Sequence, residues 1–334
     1  MDSIEPSSSR TKQSKEKSFA SDPTIQLEFI AHNRKFKLLL RSRSDSVFAD
    51  DIVIESTGQK SIDYDRSNVI HGYLEDDEES IFVGIITGDG LLDGHLQTRF
   101  EEFYIEPASR YFDLDPTYHD FHSVIYASSD VLFPESKAFG YRRFYRNDQN
   151  DQVIEASQFI PFIDTFKTFA NPWLMIENCE SNLQSNSFIH SFYFVLNFIK
   201  DFDQDGRPDN ISFLIKRIKV HTMDALKDPD YRYPSNYGVE KFLELFSEED
   251  YDAFCLAYMF TYRDFEGGTL GLAWTGDLKN AGGVCEKNGH YRGSLKSLNT
   301  GIVTLLNYGK HVPPIVSHVT LAHEIGHNFG SPVS

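Results

Sequence analysis

Leu321-Ala322-His323-Glu324-Ile325-Gly326-His327-Asn328-Phe329-Gly330 decides how the rest of this chain is read. His323 and His327 stand four residues apart, so an α-helix puts both imidazoles on one face, one turn apart. Glu324 follows the first of them, where it reaches a water on the same metal. Neutral imidazole nitrogens hold zinc at about 2.0–2.1 Å, and water on zinc falls to a pKa near 7. The glutamate then takes the water proton, hydroxide attacks a scissile carbonyl, and zinc polarises the carbonyl oxygen. Zinc is the expected cofactor, His323 and His327 the expected metal ligands, and Glu324 the expected catalytic base. Leu321, Ala322, Ile325 and Phe329 give the apolar side of a helix expected over 319–329. Gly330 stands where a C′ glycine ends a helix.

Upstream of that helix the pattern alternates between strands and short helical stretches. Residues 210–221, 253–260, 270–274 and 301–306 read as strands, and 241–246 as a short helix. Strands leading into a helix read as an α/β unit. Helix and strand both fit 185–199. Residues 133–178 are irregular and hold Pro134, Pro161 and Pro172, so they read as a connecting segment with a boundary near Cys179. Before it, 25–132 is a succession of short β-rich runs. Among them are Ile25–Phe29, Phe36–Leu40, Val47–Ile54, Val69–Tyr73, Ile81–Ile86 and Phe103–Pro107, with turn signals at Gly88-Asp89-Gly90 and Asp93-Gly94. Such spacing predicts an antiparallel β domain. Residues 1–24 are rich in Ser, Lys and Glu, lack the apolar core of a signal peptide, and read as a disordered arm.

The chain has 334 residues, room for two ordinary domains. Its formal net charge of −18 argues against a general nucleic-acid binder, which needs a basic face to neutralise phosphates. No run of about 18 apolar residues occurs, so no membrane span is expected. Three cysteines, Cys179, Cys255 and Cys285, all follow the first 178 residues, and an odd number leaves one without an internal partner.

Longer phrases resemble a known family. Ser297-Leu-Asn-Thr-Gly-Ile302, His311-Val-Pro-Pro314 and Ser317 through Pro332 look like the Kuzbanian-type, alpha-secretase branch of the disintegrin-and-metalloproteinase family. So do Gly238 through Leu245, Cys255-Leu-Ala-Tyr258, Leu270-Gly-Leu-Ala-Trp274 and Gly283-Val-Cys-Glu-Lys287. Gly94 through Arg99, Phe103 through Ala108 and Phe121 through Tyr126 resemble that branch's prodomain. The resemblance runs from about residue 25 to 332, weakest at 133–178. It implies two domains. A β-rich prodomain comes first, and then an α/β metzincin catalytic domain of mixed sheet plus active-site helix, incomplete at its C-terminus. The expected division is a 1–24 arm, a 25–132 prodomain, a 133–178 connector and 179–334 as the N-terminal part of the reprolysin domain.

The same resemblance implies a secretory-pathway, membrane-tethered zinc endopeptidase that sheds membrane-protein ectodomains, Notch-type receptors among them. It makes Leu270, Gly271, Leu272, Ala273 and Trp274 an edge strand that pairs with extended substrate, although the pattern alone fits an internal strand equally. It also pairs Cys179 with Cys255 and gives Cys285 a partner beyond residue 334. Asn210-Ile211-Ser212 is a glycosylation sequon that suits a secreted context. This and the implied disulfide oppose the cytosolic reading suggested by the first 24 residues.

Departures from the family pattern set further expectations. A third His would follow the glycine by three residues, and Val333 stands there. The Met-turn and later modules do not follow, so the chain alone is expected to have little activity and poor solubility. The alternative reading is an inactive product that binds or regulates the full-length protease. The 25–132 segment has no cysteine for a thiolate switch, and Arg143-Phe-Tyr-Arg146 reads as plain surface rather than a processing site. Asp201-Phe-Asp-Gln-Asp205-Gly206 resembles the start of a calcium loop, but Ser212 stands where Glu is needed, so it reads as an acidic turn. Surface or capping roles are expected for His290, His311 and His318.

Overall fold

The computed structural model describes residues 2–3, 25–42, 48–57, 65–112, 121–131, 172–177, 213–221, 237–276, 281–291 and 293–330. In chain order the strands are β1 (Asp2–Ser3), β2 (Ile25–Ala31), β3 (Arg34–Ser42), β4 (Phe48–Ser56), β5 (Val69–Leu74), β6 (Asp77–Ile86), β7 (Leu92–Gln97), β8 (Glu102–Pro107) and β9 (Ser123–Ala127). They continue as β10 (Pro172–Glu177), β11 (Ile215–His221), β12 (Leu256–Thr261), β13 (Gly271–Ala273), β14 (Gly289–Tyr291), β15 (Ser294–Lys296), β16 (Thr300–Thr304), β17 (Leu306–Asn307) and β18 (Lys310–His311). The α-helices among the described residues are α1 (Val239–Phe246) and α2 (Pro314–Asn328). Contacts divide the chain into two units.

The first unit is an antiparallel sheet in the order β1-β9-β8-β7-β6-β5-β3-β2. Its strands form because apolar residues recur at every second position. In β3, Phe36, Leu38 and Leu40 are buried while Lys35 and Arg41 are exposed. Phe29 faces Phe36 across the β2–β3 ladder, and their rings stack at 5.1 Å. His32 and Asn33 both take positive φ between the two strands, as a two-residue hairpin turn requires. Burial of each such Phe or Leu contributes about 1.5–3 kcal/mol.

This unit also buries charge. The Arg110 guanidinium bonds both oxygens of Asp93, and Glu106 at 2.9 Å. Tyr111 and Tyr126 donate their hydroxyls to Glu106. Burial pushes the Glu106 carboxyl up, against the pull of Arg110. Two buried carboxylates therefore depend on one cation.

The second unit is built on a sheet in the order β13-β16-β12-β10-β11-β4, parallel except for β13. On one face α1 packs Val239, Phe242, Leu243 and Phe246 against Ala257, Met259 and Ile302. Helix α2 packs on β16 and β13.

Three placements differ from the sequence expectation. Asp2–Ser3, inside the expected disordered arm, pairs with β9, where extended backbone satisfies a sheet edge. Strand β4, expected among the first unit's strands, pairs in parallel with β11, and Arg217 holds Glu55 across that ladder at 2.5 Å. Strand β10 lies between β11 and β12 although it falls in the expected connector. Proline is tolerated at a strand's first residue, so Pro172 does not bar it. The remaining residues of the arm and connector, the 185–199 stretch, Arg143–Arg146 and the Asp201–Asp205 turn lie outside the described residues.

Candidate metal centre

Helix α2 begins at Pro314, five residues before the expected start. Pro is well suited to the first helical position because its missing N–H has no partner there in any case. The earlier start places His318 inside the helix and buried, not at the surface or at a cap. His311 lies in β18, where its Nδ1 meets the Tyr262 hydroxyl at 2.5 Å and the rings stack. His290 is exposed in β14.

His323 and His327 come together as their spacing predicts. Their Nε2 atoms are 2.9 Å apart, with the rings nearly perpendicular. Two nitrogens on one tetrahedral zinc, each at 2.0–2.1 Å, would stand roughly 3.3 Å apart, so a few tenths of an ångström separate this pair from that arrangement. Burial, helped by His327, pushes His323 down to about 4. Its imidazole is therefore neutral near pH 7, the state that metal binding needs.

Glu324 is 2% exposed, and burial pushes its carboxyl up to about 8. Its Oε2 has no hydrogen-bond partner among the described residues. A buried acceptor left unsatisfied costs about 1–3 kcal/mol, which is the mark of a group placed for something outside the protein. These residues fit a metal: two converging imidazole Nε2 atoms and, beside them, a carboxyl group with an unpartnered oxygen.

The sheet edge meets this carboxylate. Strand β13 pairs antiparallel with β16, with Gly271 opposite Val303, Leu272 opposite Ile302 and Ala273 opposite Gly301. Leu270 and Trp274 extend the pairing through Thr304 N–H to Leu270 O and Trp274 N–H to Thr300 O. The other side of β13 has no strand partner among the described residues. Alternation sends Leu272 and Trp274 to the α1 face, where they join its apolar cluster. Gly271 faces α2. A Cβ there would fall 2.5 Å from Glu324 Oε1, so only glycine lets the carboxylate lie against this strand.

Asn328 is the residue that sequence reasoning missed. Its Nδ2 donates to Trp274 O at 2.8 Å, and the buried Tyr258 hydroxyl donates to its Oδ1. It thereby ties the end of α2 to the residue after β13 and to the middle of β12. The only sequence signal was an amide directly after the second histidine. Backbone donors close the helix end: Gly276 N–H to His327 O at 2.8 Å and Val284 N–H to Asn328 O at 3.1 Å. These satisfy carbonyls that a helix terminus otherwise leaves open. Gly330 takes φ +93, as expected for the C′ position. Val333, Cys179 and Asn210 lie outside the described residues.

The model of the reprolysin-like metallopeptidase family M12B matches residues 200–332. Disintegrin and metalloproteinase domain-containing protein 10 of Homo sapiens is 39% identical over 349 residues, covering 93% of this chain and 45% of that protein. The Xenopus laevis protein of the same name is 36% identical with the same coverage. The Caenorhabditis elegans homolog is 31% identical, covering 92% of this chain and 40% of its own length. The chain thus spans less than half the length of these curated relatives. The similarity extends over both units, and the chain belongs to the disintegrin-and-metalloproteinase family, with a peptidase region of the M12B reprolysin type.

Proposed function

We propose that the second unit is the catalytic part of a zinc-dependent endopeptidase, and that the β-rich first unit is its prodomain. The observation that carries this reading is the convergence of His323 and His327 Nε2 beside the buried, unpartnered carboxylate of Glu324. The two Nε2 atoms would hold zinc, which when bound supplies a Lewis acid for the scissile carbonyl and lowers the pKa of water.

The chain's own residues supply the rest. Glu324 receives the proton of the attacking water at Oε2 and returns it to the leaving amine. Strand β13 offers its open edge to an extended substrate, which pairs by backbone hydrogen bonds as an added strand. The contact between Gly271 and Glu324 fixes the distance between substrate backbone and base. Asn328 holds the helix in that position.

The proposed substrates are extended segments of membrane-protein ectodomains, Notch-type receptors among them. The proposed setting is the secretory pathway and cell surface, which the sequon at Asn210 and the family membership support.

Peptide hydrolysis by the zinc-loaded protein tests the reading. Glu324→Gln is expected to lower kcat by about 100-fold or more, the usual contribution of a general base, while zinc stays bound. Undiminished hydrolysis in that variant would rule out the assigned role.

A further inference from the structure

Strand β4 is an excursion of the chain. Strands β3 and β5 are antiparallel neighbours, with Ser42 opposite Ile70. The connection between them carries Phe48–Ser56, which pairs with neither among the described residues and forms the outer strand of the second unit's sheet, beside β11. The second unit takes in 47–63 of that connection, and the stretches on either side belong to the first. Antiparallel neighbours can be joined by a turn of a few residues, so the extra length serves the added strand.

The pairing is selective in charge. Parallel register sets Arg217 opposite Val53, Ile218 opposite Ile54, Lys219 opposite Glu55 and Val220 opposite Ser56. Thr57 N–H continues the ladder by donating to Val220 O at 3.1 Å. Three of the seven residues of β11 are cations, Lys216, Arg217 and Lys219, while β4 carries Asp50, Asp51 and Glu55. Lys216 Nζ lies 3.0 Å from Asp51 Oδ2, where the register of the two strands shifts. Arg217 Nε donates to Glu55 Oε1 at 2.9 Å. Lys219 turns to Glu249, 3.6 Å away. Cations along a strand edge deter unwanted strands, and an acidic strand is the one they favour.

We propose that the outer edge of β11 is a binding site for an acidic extended segment, filled in this chain by its own β4 and able to take the same sequence from a separate peptide once β4 is released. Ladder hydrogen bonds supply affinity there, and Lys216 and Arg217 supply selectivity. The strand order puts this edge at the opposite end of the sheet from β13, so a segment bound here leaves the β13 edge open. Binding at β11 needs neither zinc nor hydrolysis and is measured apart from both.

The test uses the full chain with specific protease sites placed in 43–46 and 58–63, so that β4 is cut free only after the protein has folded. A fluorescein-labelled peptide of residues 47–57 is added at low salt, and binding is followed by anisotropy. The cut chain is expected to take up the peptide saturably. The uncut chain, its edge already filled, is expected to bind about 10-fold more weakly or less. Val53→Pro in the cut chain weakens the resident strand and is expected to raise uptake. A peptide carrying Asp51→Lys and Glu55→Lys is expected to bind about 10-fold more weakly, because like charges then face each other. A chain carrying Arg217→Glu is expected to lose affinity for the original peptide and to recover it with the Glu55→Lys peptide. No uptake by the cut chain, with or without Val53→Pro, overturns the proposal, as does equal uptake by cut and uncut chains. A charge-reversed peptide that binds the unaltered edge as well as the original does overturns the selection for acidic segments.

Discussion

Gly271 and Glu324 are in direct contact: the α-carbon of an edge strand lies against the carboxylate of the proposed base, with no room for a methyl group between them. Placing the site's base and its open strand edge therefore takes one residue without a side chain. Gly271→Ala puts a Cβ 2.5 Å from Oε1, and carboxylate or strand must shift. Because misplacement by about 1 Å can cost on the order of 100-fold, kcat is expected to fall by roughly 10- to 100-fold with zinc content unchanged. Steady-state kinetics beside metal analysis checks this. A variant with wild-type kcat would show that the contact does not set the geometry.

Asn328→Ala removes donors and acceptor from Tyr258, Trp274 and Thr300 at once. The buried Tyr258 hydroxyl then has no acceptor on α2. The second unit is expected to lose about 2–3 kcal/mol. Urea unfolding followed by tryptophan fluorescence measures it, and a loss under about 0.5 kcal/mol would contradict the anchoring role.

Arg110→Met in the first unit strands Asp93 and Glu106 in a buried site. Breaking a buried ion pair on one side typically costs about 3–5 kcal/mol. Limited proteolysis and thermal unfolding of the first unit are expected to show that loss. Removing all three charges with apolar replacements is expected to cost less than the single change.

His221, buried at the end of β11, gives the second unit an acid limit. Burial, helped by the Lys219 ammonium, pushes its imidazole down to about 3. Unfolding returns it to about 6.5. Between those values the unfolded chain binds the proton and the folded chain does not. Stability from the neutral imidazole is whole above pH 6.5 and is lost as pH falls toward 3. The loss is expected to reach roughly 2 kcal/mol by pH 5. Denaturant midpoints for the parent and for His221→Gln should diverge in slope over that range, and parallel slopes would count against His221.

The four-residue spacing of His323 and His327 made the site legible, because that spacing has one geometric meaning on a helix. Local alternation likewise revealed β2, β3, β5, β6, β8 and β11. What stayed hidden depended on distant partners. Strand β4 alternates like its neighbours in sequence, yet its partner Arg217 lies 162 residues from Glu55. Strand β10 sits behind a proline that looked like a break. The Pro313-Pro314 pair, which resembles a breaker, opens α2. Locally only an amide after the second histidine marks Asn328, since its role comes from its partners Tyr258 and Trp274, distant in sequence.

The proposed function rests on zinc held through the Nε2 atoms of His323 and His327. X-ray absorption at the zinc edge, with titrated metal content, tests it most directly. Imidazole nitrogens at about 2.0–2.1 Å are expected in the parent protein and in Glu324→Gln, with loss of the metal in His323→Ala and in His327→Ala. Zinc retained at the same distances and affinity in both histidine variants would contradict it.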